Sequence, residues 1–184
     1  MSLSSKLNEA KETFDSGGLI AYPTESVFGL GCNPFNQRAV LKLLSLKQRA
    51  VEKGLILIAS HIRQILPLIK PKHADDLARA LKTWPGHNTW IFPKTSKVPE
   101  WVSGSFETIA VRVSKHEAVV QLCNYLNSPL VSTSANLANQ PVLNSIKDIK
   151  DVFGDKILCY FDAPLGKEQK PSTIRDASTN QIIR

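Results

Sequence analysis

The apolar positions of the chain follow a helical period first and a strand-like period next. Between Leu3 and Phe14 they recur every three or four residues, as on the buried face of an amphipathic helix. Gly17 and Gly18 follow and can end that helix. The pattern therefore predicts an N-terminal helix and then a buried strand over residues 19–22.

The same alternation continues along the rest of the chain. Helices are predicted over residues 36–47 (with Asn36 as the N-cap), from Ser60 to Pro67, and over 72–84, 116–126 and 145–153. Strands are predicted over residues 55–59, 88–92 and 108–114, over 129–136 where the strand runs into a polar turn, and over 156–161. The segments STIRD and QIIR predict a final hairpin that turns at residues 178–180. This order predicts a mixed α/β fold around one central sheet.

Composition narrows the class of protein only slightly. The chain has 184 residues, which is enough for one substantial core, and we expect a single domain. The three cysteines are odd in number and widely spaced, so a disulfide framework is not expected. No apolar run approaches the roughly 20 residues that span a bilayer, and the segment MSLSSKLNEAKETF has no signal-peptide core. We therefore expect a cytoplasmic protein.

The charge indicates the kind of partner. The formal net charge is +7, which favours an anionic partner such as a nucleotide or an RNA backbone. A solvated surface with spare lysines is the alternative.

Several familiar chemical motifs are absent from the sequence. The pair Gly29-x-Gly31 is followed by Pro34 where a dinucleotide-binding loop needs its third glycine. The chain contains no P-loop, no Cys-x-x-Cys or His-x-x-x-His pair, and no Gly-x-Ser-x-Gly or Ser-x-x-Lys, so neither a protein-held metal nor an activated nucleophile is expected. If the chain is an enzyme, it works by positioning and electrostatics.

Polar and charged residues gather in three segments that follow predicted elements. Lys47, Arg49 and Lys53 lie between a helix and a strand; they either project toward an anion or are a solvated helix end. STSAN and KPSTIRD carry hydroxyls that suit either a ligand site or a simple polar turn. Arg112 interrupts an apolar strand, as an edge residue facing water or as a carboxylate clamp.

Taken in order, the segments GGLIAYPTESVFGLGC, KQRAVEKGLIL, WPGHNTW, AVRV, STSAN and PSTIRD closely resemble the YrdC/TsaC family of threonylcarbamoyl-AMP synthases. The resemblance covers residues 17–184. It implies an α/β fold of the YrdC/RibB type, with a twisted open mixed sheet, flanking helices and a basic concave cleft. It also implies that residues 1–184 form a single YrdC-like domain.

The resemblance further implies a reaction. L-threonine, bicarbonate and ATP, with Mg²⁺ bridging phosphate oxygens, would give threonylcarbamoyl-AMP and pyrophosphate. Other proteins would then transfer the threonylcarbamoyl group to an adenosine of tRNA next to the anticodon.

Carried over by position, the resemblance implies two sets of site residues. The residues expected to contact threonine are Thr24, Ser26, Arg112, Ser132 and Ser172. Those expected to contact ATP are Lys47, Arg49, Lys53, Thr108, Ser134, Asn136 and Arg184. Lys47, Arg49 and Lys53 are also expected to be catalytic, by neutralising charge on the departing pyrophosphate.

The chain departs from the family pattern at three places. Ala50 and His87 stand where the family usually has proline, and the sequence stops at Arg184 without the usual short tail. We expect the first two to change loop rigidity more than chemistry.

Two other functions compete with this interpretation. An RNA-binding or ribosome-maturation factor could use the same basic cleft, with weak RNA or tRNA binding. Aromatic residues are only 7% of the chain, and no RNP-like pattern or Gly-x-x-Gly clamp appears, which argues against it. A regulatory domain that binds nucleotide without turnover is the third possibility.

Overall fold

The computed structural model describes residues 2–138 and 140–184. The α-helices are Leu3–Asp15 (α1), Gln37–Leu46 (α2), Ala74–Leu81 (α3), Glu100–Ser103 (α4), Glu117–Leu126 (α5) and Ile146–Phe153 (α6). The strands are Ile20–Pro23 (β1), Phe28–Gly31 (β2), Ile56–Ala59 (β3), Asn88–Pro93 (β4), Thr108–Val113 (β5), Leu130–Ser134 (β6), Cys159–Tyr160 (β7) and Thr173–Asp176 (β8). Short 3₁₀ turns connect several of them. The predicted alternation of helices and strands is confirmed.

All eight strands join one twisted mixed sheet in the order β7-β1-β2-β6-β3-β5-β4-β8. The pairs β1/β7, β3/β5 and β4/β8 are parallel and the other four pairs are antiparallel. The predicted C-terminal hairpin is present, because Arg175 on β8 bridges back to Ile182 in antiparallel fashion. The expectation of a mixed α/β fold around one sheet is confirmed.

The two faces of the sheet are covered to different extents. Because successive strand residues point to opposite faces, Leu57 and Ala59 of β3 join the larger core beneath α2, α3, α4 and α6. Ile58 points the other way, into a smaller core with α1 and α5. Those two helices cover only part of their face, so the remainder of it is open to a ligand.

Two predictions about local structure are wrong. The segment from Ser60 to Pro67 forms two 3₁₀ turns, Ile62–Gln64 and Leu66–Leu68, instead of a helix. Ser60 does not cap it, because its backbone N–H and its hydroxyl both bond to the Gln64 side chain, and a proline disrupts a helix interior. The loop between β4 and β5 also contains the unpredicted helix α4.

Strand β2 was missed because its sequence FGLG is half glycine, and glycine is rare in strands. Here tertiary contacts require it: a Cβ on Gly31 would lie 2.3 Å from the Val131 carbonyl oxygen. β1 and β2 form a hairpin, with Pro23 opposite Phe28, so the predicted PTES turn is the loop of that hairpin. Among the described residues, none of the helices combines the length and hydropathy needed to cross a bilayer.

Candidate active site

A cavity of about 550 Å³ lies on the open part of the sheet face shared with α1 and α5. Its floor is made by alternate residues of neighbouring strands, such as Ile56 of β3, Ala110 of β5 and Ile91 of β4. Gly29 of β2 also lines it, and the absence of a side chain there leaves depth next to the hairpin loop. The cavity is large enough for a nucleotide-sized ligand.

All five residues predicted to contact threonine line this cavity: Thr24, Ser26, Arg112, Ser132 and Ser172. Ser132 and Arg112 come from β6 and β5, on either side of β3. Thr24 stabilises the hairpin loop, since its hydroxyl donates to the Val27 carbonyl at 2.7 Å. The Ser172 hydroxyl is 2.9 Å from that of Thr89, which sequence reasoning did not select.

Arg112 is buried and paired, so the alternative of an edge residue facing water is wrong, whereas its role as a clamp for a ligand carboxylate stays a prediction. β5 lies between β3 and β4, away from either edge of the sheet. The Arg112 side chain is 8% exposed and its Nη2 lies 3.3 Å from Oε2 of Glu25, whose side chain is 4% exposed. Its Nη1 is 3.3 Å from Nδ1 of His87, while its Nε is buried without a hydrogen-bond partner among the described residues.

Glu25 is the main site residue that the sequence reasoning missed. Its Oε1 accepts hydrogen bonds from the Ser114 hydroxyl at 2.7 Å and from the Lys115 backbone N–H at 3.3 Å. Burial raises its pKa, but the Arg112 guanidinium and the Ser114 hydroxyl outweigh burial and hold the pKa below its ordinary value. An acidic residue two positions after the end of an apolar strand was the available signal.

Five of the residues predicted to contact ATP line the cavity as well: Arg49, Lys53, Thr108, Ser134 and Arg184. Arg49 is oriented by its own loop, because its Nη2 donates to the Gly54 carbonyl at 2.8 Å. Burial lowers the pKa of Arg49. Lys53 is exposed, and neither of these two cations forms an ion pair within residues 2–138 and 140–184.

The two remaining predicted residues, Lys47 and Asn136, lie outside the cavity lining. The Lys47 ammonium is buried and donates to the Ser134 carbonyl and to Oδ1 of Asn136, each at 2.7 Å, and also to the Asn136 carbonyl. Burial, helped by nearby Arg49, lowers the pKa of Lys47 to about 8. In this structure Lys47 therefore stabilises the STSAN turn through hydrogen bonds to Ser134 and Asn136.

No Asp or Glu side chain is among the described residues that line the cavity. The part of the chain that the structure covers also contains no group of three or more His, Cys, Asp and Glu side chains placed to hold a metal ion. A divalent ion at this site would therefore have to be held largely by ligand oxygens.

The cavity also has an apolar rim that sequence reasoning missed. Phe106, Ile183 and Val142 line it while remaining 51%, 59% and 38% exposed. Exposed apolar side chains next to a cavity suit a flat, weakly polar group such as a nucleobase. The signal for them is weak in a sequence, because each lies in a loop or at the end of the chain.

Comparison with known proteins places these features in one family. The family model Sua5_yciO_yrdC, described as "Telomere recombination", matches residues 12–184. The threonylcarbamoyl-AMP synthase of Coxiella burnetii (strain RSA 493 / Nine Mile phase I) is 46% identical over 178 residues, covering 97% of this chain and 96% of the relative. That of Vibrio parahaemolyticus serotype O3:K6 is 49% identical over 170 residues, covering 91% and 92%.

A solved structure agrees with the sequence matches. The crystal structure of P. abyssi Sua5 complexed with L-threonine is 30% identical and superimposes with a TM-score of 0.88. The match covers 96% of this chain but 52% of that one, so this chain corresponds to about half of the P. abyssi protein.

Proposed function

The chain belongs to the Sua5/YciO/YrdC family, and from this we infer that it makes threonylcarbamoyl-AMP from L-threonine and ATP, as a nucleotidyl-transferring enzyme. The observation that carries the inference is the match to synthases along nearly their whole length. The cavity supports it, since one end carries Arg112 among hydroxyls and another carries Arg49 and Lys53. No comparable observation favours an RNA-binding factor.

We propose that the amino-acid end of the cavity holds threonine through Arg112, Thr24, Ser26, Ser132 and Ser172. The Arg112 guanidinium suits the substrate carboxylate. The serine and threonine hydroxyls can bond to the substrate hydroxyl and amine. The complex of P. abyssi Sua5 with L-threonine supports an amino-acid site in this fold.

We propose that Arg49, Lys53, Thr108, Ser134 and Arg184 hold the triphosphate, with Mg²⁺ entering as the chelate of ATP. Phosphate oxygens would supply most of the ligands of Mg²⁺, because the described lining offers no carboxylate. Lys47 and Asn136 contribute by holding the Ser134 carbonyl and side chain in place. The apolar rim at Phe106 is proposed to receive the adenine base.

The chemistry we propose needs no protein nucleophile. The deprotonated threonine amine attacks the carbon of bicarbonate, a C–O bond breaks and water is released, which gives a carbamate. An oxygen of this carbamate then attacks the α-phosphorus of ATP while the bond from that phosphorus to pyrophosphate breaks. Holding the reactants in line supplies much of the rate. Arg49 and Lys53 stabilise the negative charge that builds on the leaving pyrophosphate. The product would pass to proteins that transfer the threonylcarbamoyl group to tRNA.

Pyrophosphate release from ATP tests this function directly. We expect release only when threonine and bicarbonate are both present. Serine should be used less well, because losing one methyl group in a fitted pocket typically costs about 1–3 kcal/mol. Equal release with alanine, or release without any amino acid, would rule out the proposed function.

A further inference from the structure

The two ends of the cavity differ in their electrostatic balance. At the amino-acid end, the buried guanidinium of Arg112 is matched by the buried carboxylate of Glu25, with 3.3 Å between Nη2 and Oε2. At the phosphate end, Arg49 and Lys53 have no acidic partner among the described residues. The charge of Arg112 is therefore balanced by Glu25, whereas Arg49 and Lys53 are unbalanced; a further cation, Arg184, contacts the amino-acid end with its Nη2 3.5 Å from the Ser172 carbonyl.

This difference matters because the proposed reaction brings several anions into one cavity. An uncompensated buried arginine attracts any small anion, including inorganic phosphate and the phosphates of ATP. A guanidinium whose charge is already balanced by a carboxylate attracts a second anion much less strongly. It can still bind a zwitterion, whose net charge is zero and whose carboxylate fits one free edge of the guanidinium.

The surroundings of Glu25 hold its carboxylate beside Arg112 in the ionised form. It accepts hydrogen bonds from Ser114 and from the Lys115 backbone, so it cannot turn away from Arg112 without losing them. Its pKa lies below the ordinary value for glutamate, because Arg112 and Ser114 outweigh the effect of burial, and the carboxylate remains ionised at neutral pH.

The other partners of Arg112 leave several of its five N–H donors for a ligand. Nη1 faces Nδ1 of His87 at 3.3 Å, and Nε2 of that ring is 2.8 Å from the Lys170 carbonyl. The ring is therefore placed to donate from Nε2 and to accept at Nδ1. Each Nη carries two hydrogens, so the contacts with His87 and Glu25 leave at least one N–H free on each Nη, and the Arg112 side chain lines the cavity.

We propose that Glu25 is a specificity-determining residue: by neutralising Arg112 it keeps phosphate and other free anions out of the amino-acid end and reserves that end for a zwitterionic amino acid. This inference rests on the proposed function, and it goes further by explaining how ATP and threonine are directed to opposite ends of one cavity. Glu25 acts through Arg112 and does not itself line the cavity.

Inhibition by inorganic phosphate tests the proposal. In the parent, phosphate should compete with ATP and only weakly with threonine. In Glu25→Gln, the inhibition constant of phosphate against threonine should fall by about tenfold or more, as expected when a buried counter-ion is removed. The competition of phosphate with ATP should not change in this variant, because the substitution leaves the phosphate end as it is.

Two control variants isolate the effect of the counter-ion. Asp76→Asn alters another buried carboxylate that pairs with an arginine, Arg79 at 3.2 Å. Phosphate should inhibit this variant as it inhibits the parent. In direct titration with inorganic phosphate, Glu25→Gln should show an additional binding site, and the double variant Glu25→Gln/Arg112→Met should lose that site, because the anion no longer has a cation to bind. The proposal is overturned if phosphate competes with threonine in Glu25→Gln only as weakly as in the parent. It is also overturned if Asp76→Asn shows the same strengthened competition as Glu25→Gln.

Ser114→Ala covers the case in which Glu25→Gln does not fold. It removes the 2.7 Å hydrogen bond that holds the carboxylate and should strengthen phosphate competition with threonine by about twofold to threefold; no change would overturn the proposal. The assay of the unsubstituted protein separates the proposed function from the role of Glu25. A parent that releases no pyrophosphate with threonine contradicts the proposed function, whereas an active parent with unchanged variants contradicts only the role of Glu25.

Discussion

The proposed amino-acid end and the proposed phosphate end of the cavity both use cationic side chains, but in different environments. Arg112 is fixed on an interior strand, 8% exposed and paired with Glu25. Arg49 and Lys53 lie in the segment between α2 and β3, and Lys53 is exposed. A buried, balanced cation gives orientation and selectivity, whereas the half-buried Arg49 and the exposed Lys53, which have no acidic partner among the described residues, give attraction for a highly charged ligand.

The difference also has a structural consequence. Removing one partner of a buried ion pair leaves an uncompensated charge in the core, while removing an exposed loop cation leaves water in its place. Substitutions at the two ends should therefore separate stability from affinity, and four experiments follow from this.

The largest expected effect is on stability and follows Arg112→Ala. The variant leaves Glu25 buried without its cation, which should cost about 3–5 kcal/mol and lower the melting temperature by about 6–20 °C. Thermal melting measures this, with the exposed Arg38→Ala as the control. If Arg112→Ala and Arg38→Ala had the same melting temperature, the pair of Arg112 and Glu25 would not stabilise the fold. Adding Glu25→Gln should recover part of the loss.

Arg49→Ala should affect substrate binding instead of folding. Losing a charged hydrogen-bond donor to the triphosphate costs about 1.5–3 kcal/mol, which corresponds to about a 10- to 100-fold rise in KM for ATP. KM for threonine should stay within about twofold, because the other end is untouched. Arg63→Ala, at an exposed arginine outside this cavity, is the matched control. An equal rise in both KM values would contradict the division into two ends.

Lys53→Ala should have a smaller effect on the same parameter. An exposed charge contributes about 0.2–1 kcal/mol, or about a 1.5- to 5-fold rise in KM for ATP. The difference from the parent should shrink as salt is added, because salt screens exposed charges. Steady-state kinetics at low and high ionic strength measure it, with Lys42→Ala as the control. A salt-independent effect would mean that Lys53 is not acting as an exposed charge.

The smallest expected effect is on acid stability. Because the pKa of Glu25 is lower in the folded protein than its ordinary value, the carboxylate stabilises the fold above that ordinary value, and this stabilisation is lost as the pH falls through the folded pKa. The parent should therefore lose more stability than Glu25→Gln on acidification below about pH 4.5. Each kcal/mol corresponds to about 2–4 °C in melting temperature. If the melting temperatures of the two proteins fell equally as the pH was lowered, the role of the buried pair would be contradicted.

The sequence by itself determined most of the secondary structure and much of the candidate site. Helix α2 illustrates this, because its apolar period and its N-cap are both local features. The structure confirms that the Asn36 side chain accepts a hydrogen bond from the Ala39 N–H. The ordered motifs also identified the family and ten residues that line the cavity: Thr24, Ser26, Arg49, Lys53, Thr108, Arg112, Ser132, Ser134, Ser172 and Arg184. Such information lies within a few neighbouring residues, where periodicity and turn chemistry act.

Only the tertiary structure decided which of these residues face a ligand and which face one another. Glu25 accepts a hydrogen bond from Ser114, 89 positions away, and Lys47 bonds to Asn136, also 89 positions away. The pairing of distant strands and loops creates both contacts, and no local period encodes it. The same pairing makes β2 a strand despite its glycines, because Gly31 packs against the Val131 carbonyl of β6. Whether a cation is balanced or free therefore depended on the fold, since its neighbours in space are not its neighbours in sequence.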